Sequence, residues 1–179
     1  MRRRLSTASL SSCALMSALL CVCAQLMLPF PGVPVNMALF AVHLAALVLG
    51  PGRAAASALV YLVLGLCGLP VFAGFASGPA ALLGPTGGFL LSYPVCALIT
   101  GVLSRHETCS APRAFFSALS GMLVCSVIGI AWFMCSSGAA PSPAFFLWWL
   151  TYLPGDLLKI LLAVLLWRRL RPPLRRLGL

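Results

Sequence analysis

Between residues 47 and 74 the chain reads LVLGPGRAAASALVYLVLGLCGLPVFAG. This is the tail of one apolar run, a Gly-Pro-Gly-Arg break, a second apolar run and a Gly/Pro stop. Arg53 is its only charge, and no charged residue occurs from Leu5 to Gly52. The same grammar repeats along the chain. Hydrophobic residues make up 61% of it and charged residues 8%, whereas soluble domains are closer to half apolar and a quarter charged. A span of bilayer takes about 20 apolar residues, so 179 residues hold six spans and little else. The reading is an all-α integral membrane protein, one membrane domain over residues 1–179.

Pro, Gly and charge clusters delimit the spans. They predict helices at about 9–28, 35–50, 54–69, 86–104, 114–136 and 144–168. The breaks are PFPGVP (29–34), GPGR, the Gly/Ala-rich stretch after GLP, the hydrophilic SRHETCSAPR (104–113) and SSGAAPSP (136–143). The N-terminus has the basic start and apolar stretch of a signal peptide, but the run after Cys13 is long enough to stay as the first span. The first, third and fifth connections carry no Lys or Arg. Arg53, Arg105, Arg113 and both terminal arginine clusters fall on the other side. Basic residues concentrate on the cytoplasmic face, so both termini are expected there, in the bacterial cytoplasmic membrane. The third connection, long and semi-apolar, is expected to fold back as a lid, because irregular backbone at membrane depth is tolerated only against protein or a cavity.

The formal charge of +10 is distributed as topological marking, with no basic face interleaved with aromatics, and nucleic acid is not an expected partner. The eight cysteines form no C-x-x-C pair and the two histidines are not near a cysteine cluster. No metal or cofactor is expected.

The last span holds the chemistry. TYLPGDLLKILLAVLLW (151–167) carries Asp156 and Lys159, and apart from Glu107 there is no other acid in the chain. Positions i and i+3 share one helix face, so the two project together. At 1.5 Å per residue they stand roughly 18 and 14 Å from Arg168, near the midplane or somewhat outside it. Pro154 lacks the ladder donor, and the helix is expected to start or restart there. Intramembrane charges mark functional sites facing a cavity. Together the pair offers acceptor oxygens and ammonium donors, which suits a neutral polar headgroup or a carboxylate. GPTGGF (84–89) lacks the Lys-Ser/Thr of a phosphate loop. It reads as a helix-entry turn capped by Thr86, whose backbone N–H groups could also meet a ligand. Asn36 reads as an N-cap or a ligand contact.

VPVN (33–36), the stretch 47–74, LLGPTGGF (82–89) and PGDLLK (154–159) stand in the order seen in BioY proteins, and on these motifs the chain resembles that family. The resemblance implies a six-helix S component of an energy-coupling factor (ECF) transporter that captures biotin from outside. It implies that Asp156, Lys159, Thr86, Gly87 and Gly88 line the pocket, with Asn36, Phe89 and Tyr152 beside them. It also implies partners: a transmembrane coupling subunit, docked through Ala14 and Ala18 of ALMSA, and two ATPases that hydrolyse ATP in place of this chain. A biotin precursor or another vitamin is the alternative ligand, and an intramembrane enzyme using Asp156 and Lys159 the alternative class. The chain departs from the family pattern at Phe89, where Tyr is usual. NMALF lacks the usual Gln, and FASGPAALL (75–83) has no counterpart of a family Asn.

Overall fold

The computed structural model describes residues 7–30, 33–105, 109–138 and 143–176. Six long helices form a bundle: α1 (Thr7–Gln25), α2 (Ala38–Leu49), α3 (Pro51–Leu66), α5 (Gly87–Ser104), α6 (Ala111–Ser137) and α7 (Pro143–Arg176). A short α4 (Gly78–Leu83) and a 3-10 turn at Ala73–Phe75 lie between α3 and α5.

Gly50 ends α2 at φ 77, a backbone state that costs glycine nothing. Pro51 then opens α3 at a first-turn position, where its missing N–H breaks no bond. Pro112 opens α6 in the same way, and Gly138 closes it in the left-handed conformation. Among the described residues three helices, α1, α5 and α6, are long and apolar enough to cross a bilayer by length and composition. At 12 residues, α2 is only about 18 Å long.

The helices approach closely because their facing residues are small. Ala24, Ala41, Ala45, Ala58, Ala97, Ala114, Ala118 and Ala163 are buried in one shared core, whereas Leu15, Val22, Leu59, Val63, Val127 and Leu165 point outward. Lipid is as apolar as leucine, so close packing of small residues is what holds such helices together. Gly101 shows the limit: a Cβ there would stand 2.6 Å from the backbone of Pro51. That contact brings the α2–α3 junction against the end of α5. Arg171 of α7 donates to the Cys109 carbonyl between α5 and α6 and lies over the Trp167 ring at 5.0 Å. The arginines flanking these junctions therefore gather at one end of the bundle, as the charge pattern predicted.

Three expectations are corrected. The first connection is a β-hairpin, not an irregular break: β1 (Met27–Phe30) pairs antiparallel with β2 (Val33–Asn36), Phe30 opposite Val33. It shortens the flanking helices to Gln25 and Ala38. The semi-apolar third connection contains a helix, α4, where Pro79 supplies a first-turn proline. Finally, α7 is continuous from Pro143 to Arg176 and does not restart at Pro154. Proline's fixed φ is itself helical, and proline inside a packed membrane helix is tolerated when neighbours satisfy the freed backbone. Pro94 sits inside α5 on the same terms.

Candidate functional site at the buried ion pair

Because α7 runs unbroken through Pro154, Asp156 and Lys159 face the bundle from one turn of a regular helix. Lys159 Nζ donates to Asp156 Oδ1 at 2.8 Å. The lysine side chain is 6% exposed and the aspartate 18%, so the carboxylate stands at the more open end of the pair. Among the described residues neither makes a second hydrogen bond. The carboxylate keeps acceptor capacity, and the ammonium keeps two of its three donors.

The surroundings come from four other helices. Asp156 acts electrostatically on Tyr93 and Cys96 of α5, on Cys125 of α6 and on Tyr152 one turn earlier. Lys159 acts on His43 of α2 and on Cys125. Tyr93 is stacked on Tyr61 of α3, centroids 6.3 Å apart, and Phe72 meets Tyr61 edge-on at 5.4 Å. The result is an aromatic wall with one charged pair beside it, a combination suited to a ligand with an apolar body and a few polar atoms.

The glycines of GPTGG have packing reasons. A Cβ on Gly87 would collide with the Leu82 carbonyl, and one on Gly88 with the Cβ of Trp132. Trp132 Nε1–H donates to the Gly84 carbonyl at 3.1 Å, and the Phe89 ring lies where Gly129 leaves room. The turn is thereby fastened to α6. The Phe89 carbonyl accepts from Ser92 Oγ at 2.7 Å, which also contacts Cys125 Sγ at 2.8 Å, so a short polar chain links this turn toward the ion pair. Thr86 occupies the cap position of α5 but makes no capping bond and is exposed. That corrects the expected cap. Asn36 is not the cap either: it ends β2, Met37 holds the cap position of α2 without a side-chain capping bond, and Asn36 Oδ1 accepts from the Ala38 N–H at 3.2 Å as a turn before the helix. Tyr152 is half-buried near Asp156.

On α1, Ala14 and Ala18 are exposed, on an apolar face that includes Leu15 and Val22. The opposite face is clamped to α3. Ser17 Oγ donates to the Ser57 carbonyl at 2.9 Å and Ser57 Oγ returns a bond to the Cys13 carbonyl at 3.1 Å.

Gln25, which sequence reasoning passed over, ties the third connection to the bundle. Its Nε2 donates to the Phe72 carbonyl at 2.9 Å and its Oε1 accepts from the Phe75 N–H at 3.0 Å. Between them Gly74 has φ 69 and Phe75 φ 59, the latter a genuine outlier for a bulky residue. Phe75 is 70% exposed while Phe72 is fully buried. The one advance signal was a glutamine closing an otherwise apolar helix.

The family model for the BioY family matches residues 1–176. The chain belongs to the BioY family. It is 39% identical, over 88% of its own length and 93% of the relative's, to a probable biotin transporter BioY of Pyrococcus horikoshii. To the biotin transporter BioY of Thermotoga maritima it is 32% identical, over 87% and 90%. A crystal structure of the S-component for biotin from an ECF-type ABC transporter matches with a TM-score of 0.82, at 26% identity and covering 96% of this chain and 95% of that one. The six-helix S-component architecture and the multi-pass membrane setting are therefore those of the family.

Gln25 Nε2 also reaches the Pro70 carbonyl at 3.4 Å, so Gln25→Ala removes three bonds that hold the strained turn down. Hydrogen exchange of the amides at 72–76 should then rise at least tenfold relative to those of α5, as expected from losing two or more hydrogen bonds worth about 1 kcal/mol each. Unchanged exchange would show that Phe72 burial alone fixes the segment.

Proposed function

We propose that this chain is the biotin-capturing S component of an ECF transporter in the bacterial cytoplasmic membrane, with both termini cytoplasmic. The observation that carries the reading is a paired Asp156 and Lys159, both largely buried, in a bundle with the family's architecture along nearly its whole length. Burying two charges is expensive, and a bilayer protein that needed only a brace could use small apolar residues, as the rest of this core does.

Biotin's ureido edge presents two N–H donors and one strongly accepting oxygen. The carboxylate of Asp156 complements a donor, and a free N–H of Lys159 complements the oxygen. Charge-assisted bonds of this kind are the strong ones. The apolar fused rings and the valeryl chain lie against the aromatic wall of Tyr61, Tyr93 and Phe72. Asn36, Thr86, Gly87, Gly88, Phe89 and Tyr152 complete the pocket in this reading. Asn36 and the glycines shape it through backbone geometry and Tyr152 adds an edge beside Asp156. Phe89 in place of the family's usual Tyr gives up one hydroxyl.

A capture subunit alone does not couple to ATP, and no Walker sequence is present in the chain. The reading therefore includes a transmembrane coupling subunit and two ATPases as partners. The exposed Ala14 and Ala18, four residues apart on a helix whose other face is clamped by Ser17 and Ser57, offer the close approach that membrane helix pairing uses.

Calorimetry on the folded protein in detergent is the direct test of ligand identity. Biotin should bind at nanomolar scale, about −12 kcal/mol, and dethiobiotin, which lacks the thioether bridge, more weakly. Absence of heat and of competition on folded protein would reject biotin. For docking, Ala14→Leu with Ala18→Leu should leave biotin affinity within about twofold, since exposed-face changes are worth within ±0.5 kcal/mol. The same double variant should lose co-purification with the coupling subunit and biotin uptake. Unchanged uptake would remove the docking role from α1.

A further inference from the structure

His43 is the one imidazole in the described core, and one of its nitrogens is unaccounted for. It sits in the middle of α2 with no exposed surface, flanked by Ala41, Ala45 and Ala46. Nδ1 lies 3.2 Å from Thr100 Oγ1 of α5, and Gly121 of α6 makes room for that hydroxyl, since a Cβ there would collide with it. Nε2, on the far side of the ring, has no hydrogen-bond partner among the described residues. A buried polar atom left unpaired is costly enough that native structures nearly always supply a partner, often an ordered water.

The charged group that acts on this ring is Lys159, whose Nζ uses one of its three N–H donors on Asp156. In the tautomer whose Nδ1–H donates to the Thr100 oxygen, Nε2 is a bare acceptor. The helix that carries it, α2, packs directly on α7, so a bare acceptor and an ammonium with spare donors stand on facing helices, both buried.

We propose that His43 is a positioning residue of the ligand pocket. Through one buried water its Nε2 takes an N–H of the Lys159 ammonium, so that the three donors are divided among Asp156, His43 and the ligand. Lys159 then has one donor direction free, and that direction is set from α2 and α5 rather than from α7 alone. The water, the ring and the Thr100 hydroxyl form a rigid strut that keeps the ammonium from turning toward other acceptors. This rests on the reading of Asp156 and Lys159 as the ligand-binding pair.

The chain has only two histidines, so nitrogen-15 histidine labelling in a His106→Gln background leaves His43 as a single signal, observable without any ligand. Nδ1 should be the protonated nitrogen and Nε2 a hydrogen-bonded acceptor. Removing the pair as a unit, with Asp156→Asn and Lys159→Met together, should move Nε2 to the position of an acceptor without a donor while Nδ1 stays. A protonated Nε2, or one indifferent to that replacement, overturns the proposal.

Binding supplies a second arm. His43→Gln keeps an acceptor oxygen at similar reach and should retain biotin affinity within about threefold. His43→Leu, which fills the space without an acceptor, should lose roughly tenfold, the loss of one modest hydrogen bond to a charged group. Equal affinities for the two variants at equal melting temperature also overturn it. Should the parent chain bind no biotin at all, the functional reading fails while the resonance outcome still decides the link between His43 and Lys159.

Discussion

The rest of the structure is arranged around a carboxylate and an ammonium held 2.8 Å apart inside a membrane bundle. Each ion alone would cost several kcal/mol to bring out of water. Paired, they attract strongly in a low-dielectric setting, but they also demand that the surroundings stay in place, because removing or displacing one leaves the other uncompensated. Continuity of α7 through Pro154 puts the two on one face, one turn apart. The aromatic stack of Tyr61 and Tyr93 walls them on one side. A pair sealed off completely would be a brace. The greater exposure of Asp156 over Lys159 gives it one open end, which is what a binding site requires.

That constraint explains why the packing is so intolerant of side-chain volume. Alanine at the helix contacts, and glycine where α5 meets Pro51 and Trp132 and where α6 meets Thr100, lets six helices close around a tightly packed interior. The apolar bulk is displaced outward to lipid, where Leu and Val cost nothing. The same economy leaves one face of α1 free. Ser17 is spent on α3 while Ala14 and Ala18 face out.

Most of this architecture was legible because membrane insertion writes itself coarsely into sequence. Apolar run length gave the helices, and the positions of Arg53, Arg105, Arg113 and the C-terminal arginines gave their common end. Asp156 and Lys159 stood out because charge is so rare here. What the sequence hid was local. The stretch at 29–34 reads only as a Pro-rich break, yet Pro29 and Pro34 sit opposite each other in paired strands, because a two-stranded ribbon leaves many backbone donors unpaired and so tolerates them. Pro154 looked like a break because propensity was weighed without tertiary support for the freed carbonyl. Thr86 has the residue type of a cap but not its hydrogen bond, and Gln25 has no motif at all. Its role depends on where the chain returns 47 residues later. His43 was set aside for lack of metal-ligating neighbours, whereas its interest lies in a single unpaired nitrogen that depends on how α2 packs in the bundle.

The central claim is that the ion pair exists for a ligand rather than for the fold. It is tested most directly by measuring biotin affinity and melting temperature together for Asp156→Asn, Lys159→Met and the double variant. The account predicts that each single change weakens binding at least tenfold, from the loss of a charged hydrogen bond of roughly 1.5–3 kcal/mol. It predicts further that the double variant regains melting temperature, because no lone charge remains buried, without regaining affinity. A double variant that recovers both stability and near-native biotin binding would contradict it and make the pair a brace.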